Sequence, residues 1–179
     1  VCKKCDVTNQ FYFNKLIDEI NDDFGLIDIF CSNAGILSLG NEQTSNEDWS
    51  KNWNLHVMSH VFAAKKLLPD MLNRGSGYFV NTASAAGLLS HIDSITYSTT
   101  KHAAIGLAEW LSITYGKQGI GVSILCPQAV ETSMTQGREK EVSALDGMMK
   151  PDDVALDVIK AIKDEVFLIS PHHEVIGYF

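Results

Sequence analysis

Short, unbroken apolar runs separated by helical patterns are the feature that most constrains the fold of this chain. The runs are LIDIFCS at residues 26–32, GYFVNT at 77–82, IGVSILC at 120–126 and VFLIS at 166–170. Apolar residues recur at helical spacing in the stretches between them, which are residues 9–24, 46–74, 94–117 and 151–163. Strands that are apolar throughout are buried on both faces, which is typical of a parallel sheet covered by helices. The sequence therefore predicts an α/β fold with a doubly wound parallel sheet.

Composition excludes several classes of protein. The 179 residues are 45% hydrophobic and 20% charged, as in globular domains, and their number predicts a single domain over residues 1–179. The net charge of −8 disfavours nucleic acid and anionic lipid as partners, so we expect neither nucleic-acid nor membrane binding. No apolar run approaches the roughly 20 residues of a membrane helix. Four cysteines and no Asn-x-Ser/Thr acceptor favour a cytoplasmic location.

Polar residues that directly follow the predicted strands are the first candidates for a ligand site. In doubly wound sheets, ligands bind in the crevice beyond the carboxyl ends of the strands. We interpret residues 1–5 as the end of a strand, which places Asp6 at such a position. The segment 33–35, Ser84 and the segment 127–132 follow later strands in the same way.

A tyrosine and a lysine lie four residues apart near the start of a predicted helix, and hence on one face of it. They are Tyr97 and Lys101. A free phenol has a pKa of about 10, and an adjacent ammonium favours its ionised form, which would bring the Tyr97 pKa closer to neutrality. Ser84, at the end of the preceding strand, could hydrogen-bond a substrate oxygen as charge develops there. The pair alone is weak evidence, but with the strand-end serine it favours acid–base chemistry on an oxygen.

Four motifs in order resemble those of the short-chain dehydrogenases/reductases. They are DVT at residues 6–8, SNAG at 32–35, NTASAAG at 81–87 followed by YSTTK at 97–101, and PQAVET at 127–132. Ser32 stands where the family has a first Asn, and Gln128 stands where Gly is usual. The resemblance extends over essentially the whole chain and implies a Rossmann-like sheet.

The resemblance implies hydride transfer between a nicotinamide cofactor, NAD or NADP, and a small alcohol or carbonyl substrate. It implies that Tyr97 is the general acid/base, that Lys101 lowers its pKa and holds the nicotinamide ribose, and that Ser84 orients the substrate. Asp6 would bind adenine and Thr132 the carboxamide side. The cofactor-binding residues implied are Asp6, Val7, Asn33, Ala34, Gly35, Tyr97, Lys101, Pro127, Gln128, Val130 and Thr132. A homodimer or homotetramer, packed through the helices that contain Trp53 and Tyr97, is implied as well.

The chain departs from the family pattern at two places. His56 occupies the position of the family's fourth catalytic residue, an Asn, and its main-chain carbonyl could still hold a proton-relay water. No G-x-x-x-G-x-G turn is found, and such a turn would cradle the pyrophosphate. We therefore interpret the chain as a partial domain without the first strand–helix–strand unit. That unit's strands would lie between residues 1–5 and 26–32 in the sheet. The alternative is a truncated, non-catalytic relative that acts only in binding or assembly.

Other readings of single residues are weaker. Cys2 and Cys5, and His56 with His60, lack the further ligands of a metal site, so we expect no bound metal. Ser84 with His91 and Asp93 lacks the Gly-x-Ser-x-Gly context of a hydrolase triad. The cluster Glu139, Lys140 and Glu141 reads as a solvated face inside the irregular stretch 128–150, where the family has its substrate lid. Residues 172–174 read as an exposed turn, and Trp49, Trp53 and Trp110 as core or interface anchors.

Overall fold

The computed structural model describes residues 1–138, 141, 144 and 146–178, and it confirms an α/β architecture with one parallel sheet. The strands are β1 (Ile29–Ser32), β2 (Gly77–Thr82), β3 (Ile120–Leu125) and β4 (Leu168–Ile169). They lie in the order β1-β2-β3-β4, and every neighbouring pair is parallel. The carboxyl ends of all four strands therefore lie on one edge of the sheet, as the Rossmann-like prediction requires.

Helices connect the strands. They are α1 (Gln10–Phe24), α2 (Asn46–Trp53), α3 (Ser59–Arg74), α4 (Ile95–Tyr115), α5 (Pro151–Lys163) and α6 (Glu174–Tyr178). Their starts follow from local chemistry, because Asn9, Ser45 and Ser94 each accept backbone N–H groups of the first turn. Pro151 begins α5, where its missing N–H costs nothing.

The main core lies between the sheet and the helices. Neighbouring residues Phe79 and Val80 of β2 are 1% and 2% exposed, so this strand is buried on both faces. Ile17 of α1, Leu67 of α3 and Ala108 of α4 belong to the buried core on which the sheet packs. Burial of each large aliphatic or aromatic side chain contributes roughly 1.5–3 kcal/mol. The apolar runs are thus explained by burial on both faces of β2 and β3, as predicted.

The predicted helix 46–74 is interrupted in the structure. A π-helical turn, Asn54–Met58, separates α2 from α3. The Ser59 hydroxyl donates to the Leu55 carbonyl oxygen, and the His56 side chain is fully buried. A π turn accommodates one extra residue and rotates the side chains that follow it. Helical periodicity alone could not show this turn, because a partner distant in sequence holds the His56 side chain.

Three expectations about chain segments are corrected. Residues 1–5 form no strand, because no described strand pairs with them and an extended segment without ladder hydrogen bonds is not part of a sheet. Strand β1 is shorter than the predicted 26–32, since its register with β2 begins at Ile29. The predicted exposed turn 172–174 is wrong for His172, which is 4% exposed, and Glu174 begins α6. The predicted solvated face at Glu139 and Lys140 lies outside the described residues.

Two kinds of feature are absent from the described part of the chain. No helix there is long and apolar enough to cross a membrane. No group of three or more His, Cys, Asp or Glu side chains is placed to hold a metal ion. The four cysteines are free thiols, and only Cys126 is buried.

Candidate active site

Loops from the carboxyl ends of β1, β2 and β3 are joined by hydrogen bonds. The Thr82 hydroxyl, at the end of β2, donates to Asn33 Oδ1 in the loop after β1 at 3.1 Å. The Ala85 N–H donates to the Pro127 carbonyl in the loop after β3 at 2.8 Å. The sheet therefore brings together three of the segments predicted from sequence.

Ser84 precedes a short 3₁₀ turn, Ala85–Gly87, and is 9% exposed. Its Oγ accepts the Ala86 N–H at 3.1 Å and donates a long hydrogen bond of 3.4 Å to the Pro127 carbonyl oxygen. A 3.4 Å bond between oxygens is weak. The Ser84 hydroxyl is therefore oriented by its own backbone and can exchange its weak acceptor for a stronger one.

Tyr97 and Lys101 lie on adjacent turns of α4, as their spacing predicts. The Lys101 Nζ is 5.5 Å from the centroid of the Tyr97 ring. Lys101 is 3% exposed, and its Nζ donates to the Thr82 carbonyl oxygen at 2.9 Å. That is the one hydrogen bond of the Lys101 ammonium within the described structure, and an ammonium has three N–H donors. Two donors therefore remain for a ligand.

Burial dominates the proton affinities of this pair. Burial raises the pKa of Tyr97 above its usual value of 10.0, and the interaction with Ser84 opposes that rise. Burial also lowers the pKa of Lys101 to about 8, while the nearby Cys126 thiol raises it. Lys101 is not among the groups that shift the Tyr97 pKa, so the lowering predicted from their spacing is not seen in this structure. At neutral pH Lys101 is still mostly an ammonium and Tyr97 a phenol.

His56 connects the loop after β1 to α4. Its Nε2 accepts the Ile36 N–H at 3.1 Å, and its Nδ1 lies 2.8 Å from Thr100 Oγ1. The Thr100 hydroxyl donates to the Thr96 carbonyl oxygen at 2.7 Å and therefore accepts from His56. These contacts assign a neutral ring with its proton on Nδ1. Burial, followed by repulsion from Lys101, lowers the pKa of His56 to about 3.

The His56 ring also contacts the predicted general acid/base. Its centroid is 5.5 Å from that of Tyr97, and the two rings are nearly perpendicular, at 87°. Such an edge-to-face contact is a favoured arrangement of aromatic rings. His56 thus contacts both the loop after β1 and helix α4.

Sequence reasoning missed two polar residues near this site. Thr100 was not recognised as the partner of His56, although a hydroxyl next to Lys101 was visible in the motif. His60 was considered only as a metal ligand, but it is 2% exposed and burial lowers its pKa to about 3. The four-residue spacing of the two histidines was the available signal, and it indicated a shared buried face.

The remaining predicted cofactor-binding residues have different surroundings. The Asp6 carboxylate accepts the Thr8 N–H and hydroxyl, which lowers its pKa, and no hydrogen bond within the described structure joins it to Ser84 or Lys101. Val7 packs against the main core. Val130 packs against a second core cluster. Thr132 is exposed. Ala34 is also exposed, next to Asn33.

A cavity of about 130 Å³ opens beside Ser84. Its walls include Ala85, Leu89, His91, Gln128 and Glu141. Gln128 Oε1 and Glu141 Oε2 are buried, and neither has a hydrogen-bond partner within the described structure. The cavity is therefore a candidate substrate site, and two of its lining residues carry buried acceptors without partners in the described structure.

The residues around Lys101 fit a nicotinamide cofactor. A Cβ added to Gly35 would lie 3.6 Å from His56 Nε2 and 3.7 Å from Lys101 Nζ, so the loop after β1 runs directly against His56 and Lys101. The two unused N–H donors of the Lys101 ammonium match the hydroxyl acceptors of a ribose. This donor set is consistent with a cofactor lying across the carboxyl ends of β1 and β2.

Comparison with known proteins gives consistent results. The sequence profile of the family described as short chain dehydrogenase matches residues 1–143. The chain is 29% identical over 173 residues to meso-2,3-butanediol dehydrogenase of Serratia marcescens, which covers 92% of this chain and 68% of that protein. The chain spans between about half and two thirds of the length of the curated relatives it matches.

Solved structures agree with this assignment. A short-chain dehydrogenase from Novosphingobium aromaticivorans superposes with a TM-score of 0.85 at 31% identity, over 99% of this chain and 65% of that one. A short-chain dehydrogenase/reductase from Burkholderia phymatum, in complex with NAD, gives a TM-score of 0.87 at 26% identity, over 99% and 73%. Profile, sequence and structure agree, and the chain belongs to the short-chain dehydrogenase/reductase family of oxidoreductases.

Proposed function

We propose that this protein transfers a hydride between NAD or NADP and the carbinol or carbonyl carbon of a small substrate, with Tyr97 as general acid/base. The observation that carries this proposal is that Tyr97 interacts with Ser84, which lines the cavity after β2, while the Lys101 Nζ lies 5.5 Å from the centroid of the Tyr97 ring. The solved relative from Burkholderia phymatum holds NAD, which supports the choice of cofactor.

In the direction of alcohol oxidation, the substrate oxygen lies between Ser84 and Tyr97. Tyr97 takes the hydroxyl proton from its ionised form, which is the minor form at neutral pH, as the carbon loses its hydride, and the product is a carbonyl compound. Hydride acceptance and donation are the chemistry that a bound nicotinamide supplies. In the reverse direction the Tyr97 phenol returns its proton to the new alkoxide. The Ser84 hydroxyl donates to the reacting oxygen in both directions, in place of its weak bond to Pro127.

Lys101 has two parts in this proposal. Its ammonium, fixed by the Thr82 carbonyl, would hold the ribose hydroxyls of the cofactor with its remaining donors. We further propose that its positive charge, 5.5 Å from the centroid of the Tyr97 ring, favours the phenolate during the reaction, an effect on the pKa that this structure does not itself show. The loop residues Asn33 and Gly35 would line the adenosine side.

Titration with NADH and NADPH tests the proposal. We expect saturable binding of at least one of them, and a loss of roughly 10- to 100-fold in affinity for Lys101→Met, because charged hydrogen bonds to the ribose are removed. Lys117→Met, an exposed change after the same helix, should bind as the wild type does. Absence of saturable binding by either cofactor would contradict the enzyme proposal and favour the non-catalytic alternative.

We also propose that the protein assembles as a homodimer or homotetramer through α2, α3 and α4. Large apolar side chains are exposed on two of these helices, among them Trp53 at 41%, Trp110 at 56% and Ile113 at 76%. Sedimentation velocity of the wild type and of Trp110→Glu tests this, with a loss of the larger species expected for the variant. The four free thiols are compatible with a reducing compartment such as the cytoplasm.

A further inference from the structure

The loop after β1 passes directly against the Lys101 ammonium. A Cβ added to Gly35, in this loop, would lie at van der Waals distance from Lys101 Nζ, 3.7 Å away. The ammonium donates to the Thr82 carbonyl oxygen, and within the described structure its other two N–H donors are free for a ligand. The position of the loop therefore decides how much space a ligand finds at these donors.

A buried attachment connects this loop to α4 through two side chains. The Ile36 N–H donates to His56 Nε2 at 3.1 Å, and His56 Nδ1 lies 2.8 Å from Thr100 Oγ1. The Thr100 hydroxyl gives its one proton to the Thr96 carbonyl oxygen at 2.7 Å, so it accepts at His56. Thr100 and His56 are both 0% exposed, so water does not compete for their bond. The residue directly before Lys101 thus holds, through His56, the loop that faces the ammonium.

A second attachment lies at the end of β2. The Thr82 hydroxyl donates to Asn33 Oδ1 at 3.1 Å, and the carbonyl of the same residue accepts from Lys101 Nζ at 2.9 Å. Thr82 therefore contacts both the loop and the ammonium. Asn33 is exposed and Thr82 is half-buried, so water competes for this bond and it should hold the loop less firmly than the buried one.

The two ends of the loop are fixed by different groups. At the far end, the Gly40 N–H donates to the Asp93 carbonyl oxygen at 2.9 Å. At the near end, residues 33–36, the side-chain hydrogen bonds of the described structure are those of His56 and Thr82. Loss of either bond should therefore loosen the end beside the ammonium and leave the far end in place.

We propose that Thr100 is a positioning residue of the cofactor site, which holds residues 33–36 against Lys101 through His56, and that Thr82 is a weaker second positioning residue. A binding site that is already ordered before the ligand arrives saves the cost of ordering it on binding. This inference rests on the proposed function for its ligand, NAD or NADP, whereas the hydrogen bonds that carry it do not.

Titration of NADH and NADPH into the full chain and its variants tests the inference. Thr100→Val keeps the shape of the side chain and removes the acceptor, so the affinity for the cofactor that binds should fall by about 10-fold. Thr100→Ser keeps the hydroxyl and should bind within about twofold of the wild type. Thr82→Val removes the exposed bond and should weaken binding by about threefold. Thr99→Val, an exposed change on the same turn as Thr100, is the matched control and should have no effect.

Amide hydrogen exchange without cofactor shows whether the loop is what moves. The Ile36 N–H is protected by its bond to His56, and Thr100→Val should make it exchange roughly 10-fold faster. Val122, in the buried strand β3, is the reference amide. A variant that is only less stable overall would accelerate both amides by the same factor. If Thr100→Val does not fold, Thr82→Val decides, and unchanged cofactor affinity for it overturns the inference.

The failure of this inference and that of the proposed function give different results. Three results would overturn the inference alone: unchanged affinity of Thr100→Val for a cofactor that the wild type binds, a loss that Thr100→Ser does not restore, or equal acceleration of Ile36 and Val122. Weaker binding by Thr100→Val, in a protein that transfers no hydride from NADH or NADPH to the carbonyl probe 3-hydroxybutanone, would overturn only the proposed function. Absence of binding of either cofactor by the wild type would overturn both.

Discussion

Two walls of the candidate active site treat their polar groups in opposite ways. One wall consists of Tyr97, Thr100 and Lys101 of α4 together with His56 of the π turn, and we call it the α4 wall. There His56 uses both ring nitrogens, one toward Ile36 and one toward Thr100. On the wall formed by Gln128 and Glu141, two acceptors are buried without partners among the described residues. The first arrangement fixes the geometry of the residues proposed for chemistry. The second leaves buried hydrogen-bonding capacity unused.

The two walls also differ in their secondary structure. Tyr97 and Lys101 lie within a helix of 21 residues that is packed on the sheet. Gln128 and Glu141 lie between β3 and α5, where the described residues form turns and one isolated bridge between Val130 and Met149. A rigid element suits atoms that must stay aligned during proton transfer, whereas loops tolerate variation in substrate contacts.

Replacement of Tyr97 is the change that should have the largest effect. Tyr97→Phe removes the proton donor and keeps the ring that contacts His56, so kcat should fall by about 1,000-fold while NADH affinity changes by less than about twofold. Steady-state kinetics and a cofactor titration measure both quantities. Tyr115→Phe, at the end of the same helix, is the control. Turnover that survives Tyr97→Phe would contradict the role given to the α4 wall.

Acid should lower the free energy of unfolding of the protein through the buried rings of His56 and His60. The native rings of His56 and His60 stay neutral down to about pH 3, whereas the same rings in the unfolded chain take up protons below about pH 6.5. The free energy of unfolding should therefore fall as the pH drops from 6.5 toward 3, by several kcal/mol at most. Urea unfolding at a series of pH values measures this fall. His60→Leu should make it shallower, and His173→Leu, at an exposed site, should not.

The contact between His56 and Thr100 can be broken without a change in shape. Thr100→Val removes the acceptor of the His56 Nδ1–H and leaves that donor buried and unpaired, at a cost of about 1–3 kcal/mol. Thr99→Val, exposed on the same turn, should change the free energy of unfolding by less than about 0.5 kcal/mol. Chemical denaturation measures both values. Equal effects of the two changes would show that the bridge does not stabilise the wall.

Removal of a hydrogen-bond acceptor from the wall formed by Gln128 and Glu141 should have the smallest effect on stability. Gln128→Ala removes an acceptor that has no partner, so the free energy of unfolding should change by less than about 0.5 kcal/mol or rise slightly. Chemical denaturation beside Thr100→Val gives the direct comparison of the two walls. A loss as large as that of Thr100→Val would mean that Gln128 Oε1 is bonded in the folded protein.

The sequence predicted the sheet and the α4 pair well because both depend on local patterns. The apolar runs of β2 and β3 reflect burial on both faces, and the spacing of Tyr97 and Lys101 fixes them to one helix face. Residues 1–5 were wrongly read as a strand, because a strand is defined by a partner that a short segment cannot reveal.

The parts that were not predicted depend on contacts between distant residues. The π turn Asn54–Met58 contains His56. The His56 side chain accepts the N–H of Ile36, which lies 20 residues earlier in the chain. The burial that raises the Tyr97 pKa arises from tertiary packing, whereas sequence spacing predicted a lowering by Lys101 that the structure does not show. The loss of hydrogen-bond partners at Gln128 and Glu141 is likewise visible only in three dimensions.

Deuterium transfer tests the central claim, hydride transfer assisted by Tyr97, most directly. NADH and NADPH labelled with deuterium on the transferring face of C4 are incubated with the protein and 3-hydroxybutanone, and the product diol is analysed by mass spectrometry. The account predicts one deuterium in the diol formed by the wild type and almost none with Tyr97→Phe. An unlabelled product from a protein with bound cofactor, or equal labelling by Tyr97→Phe, would contradict it.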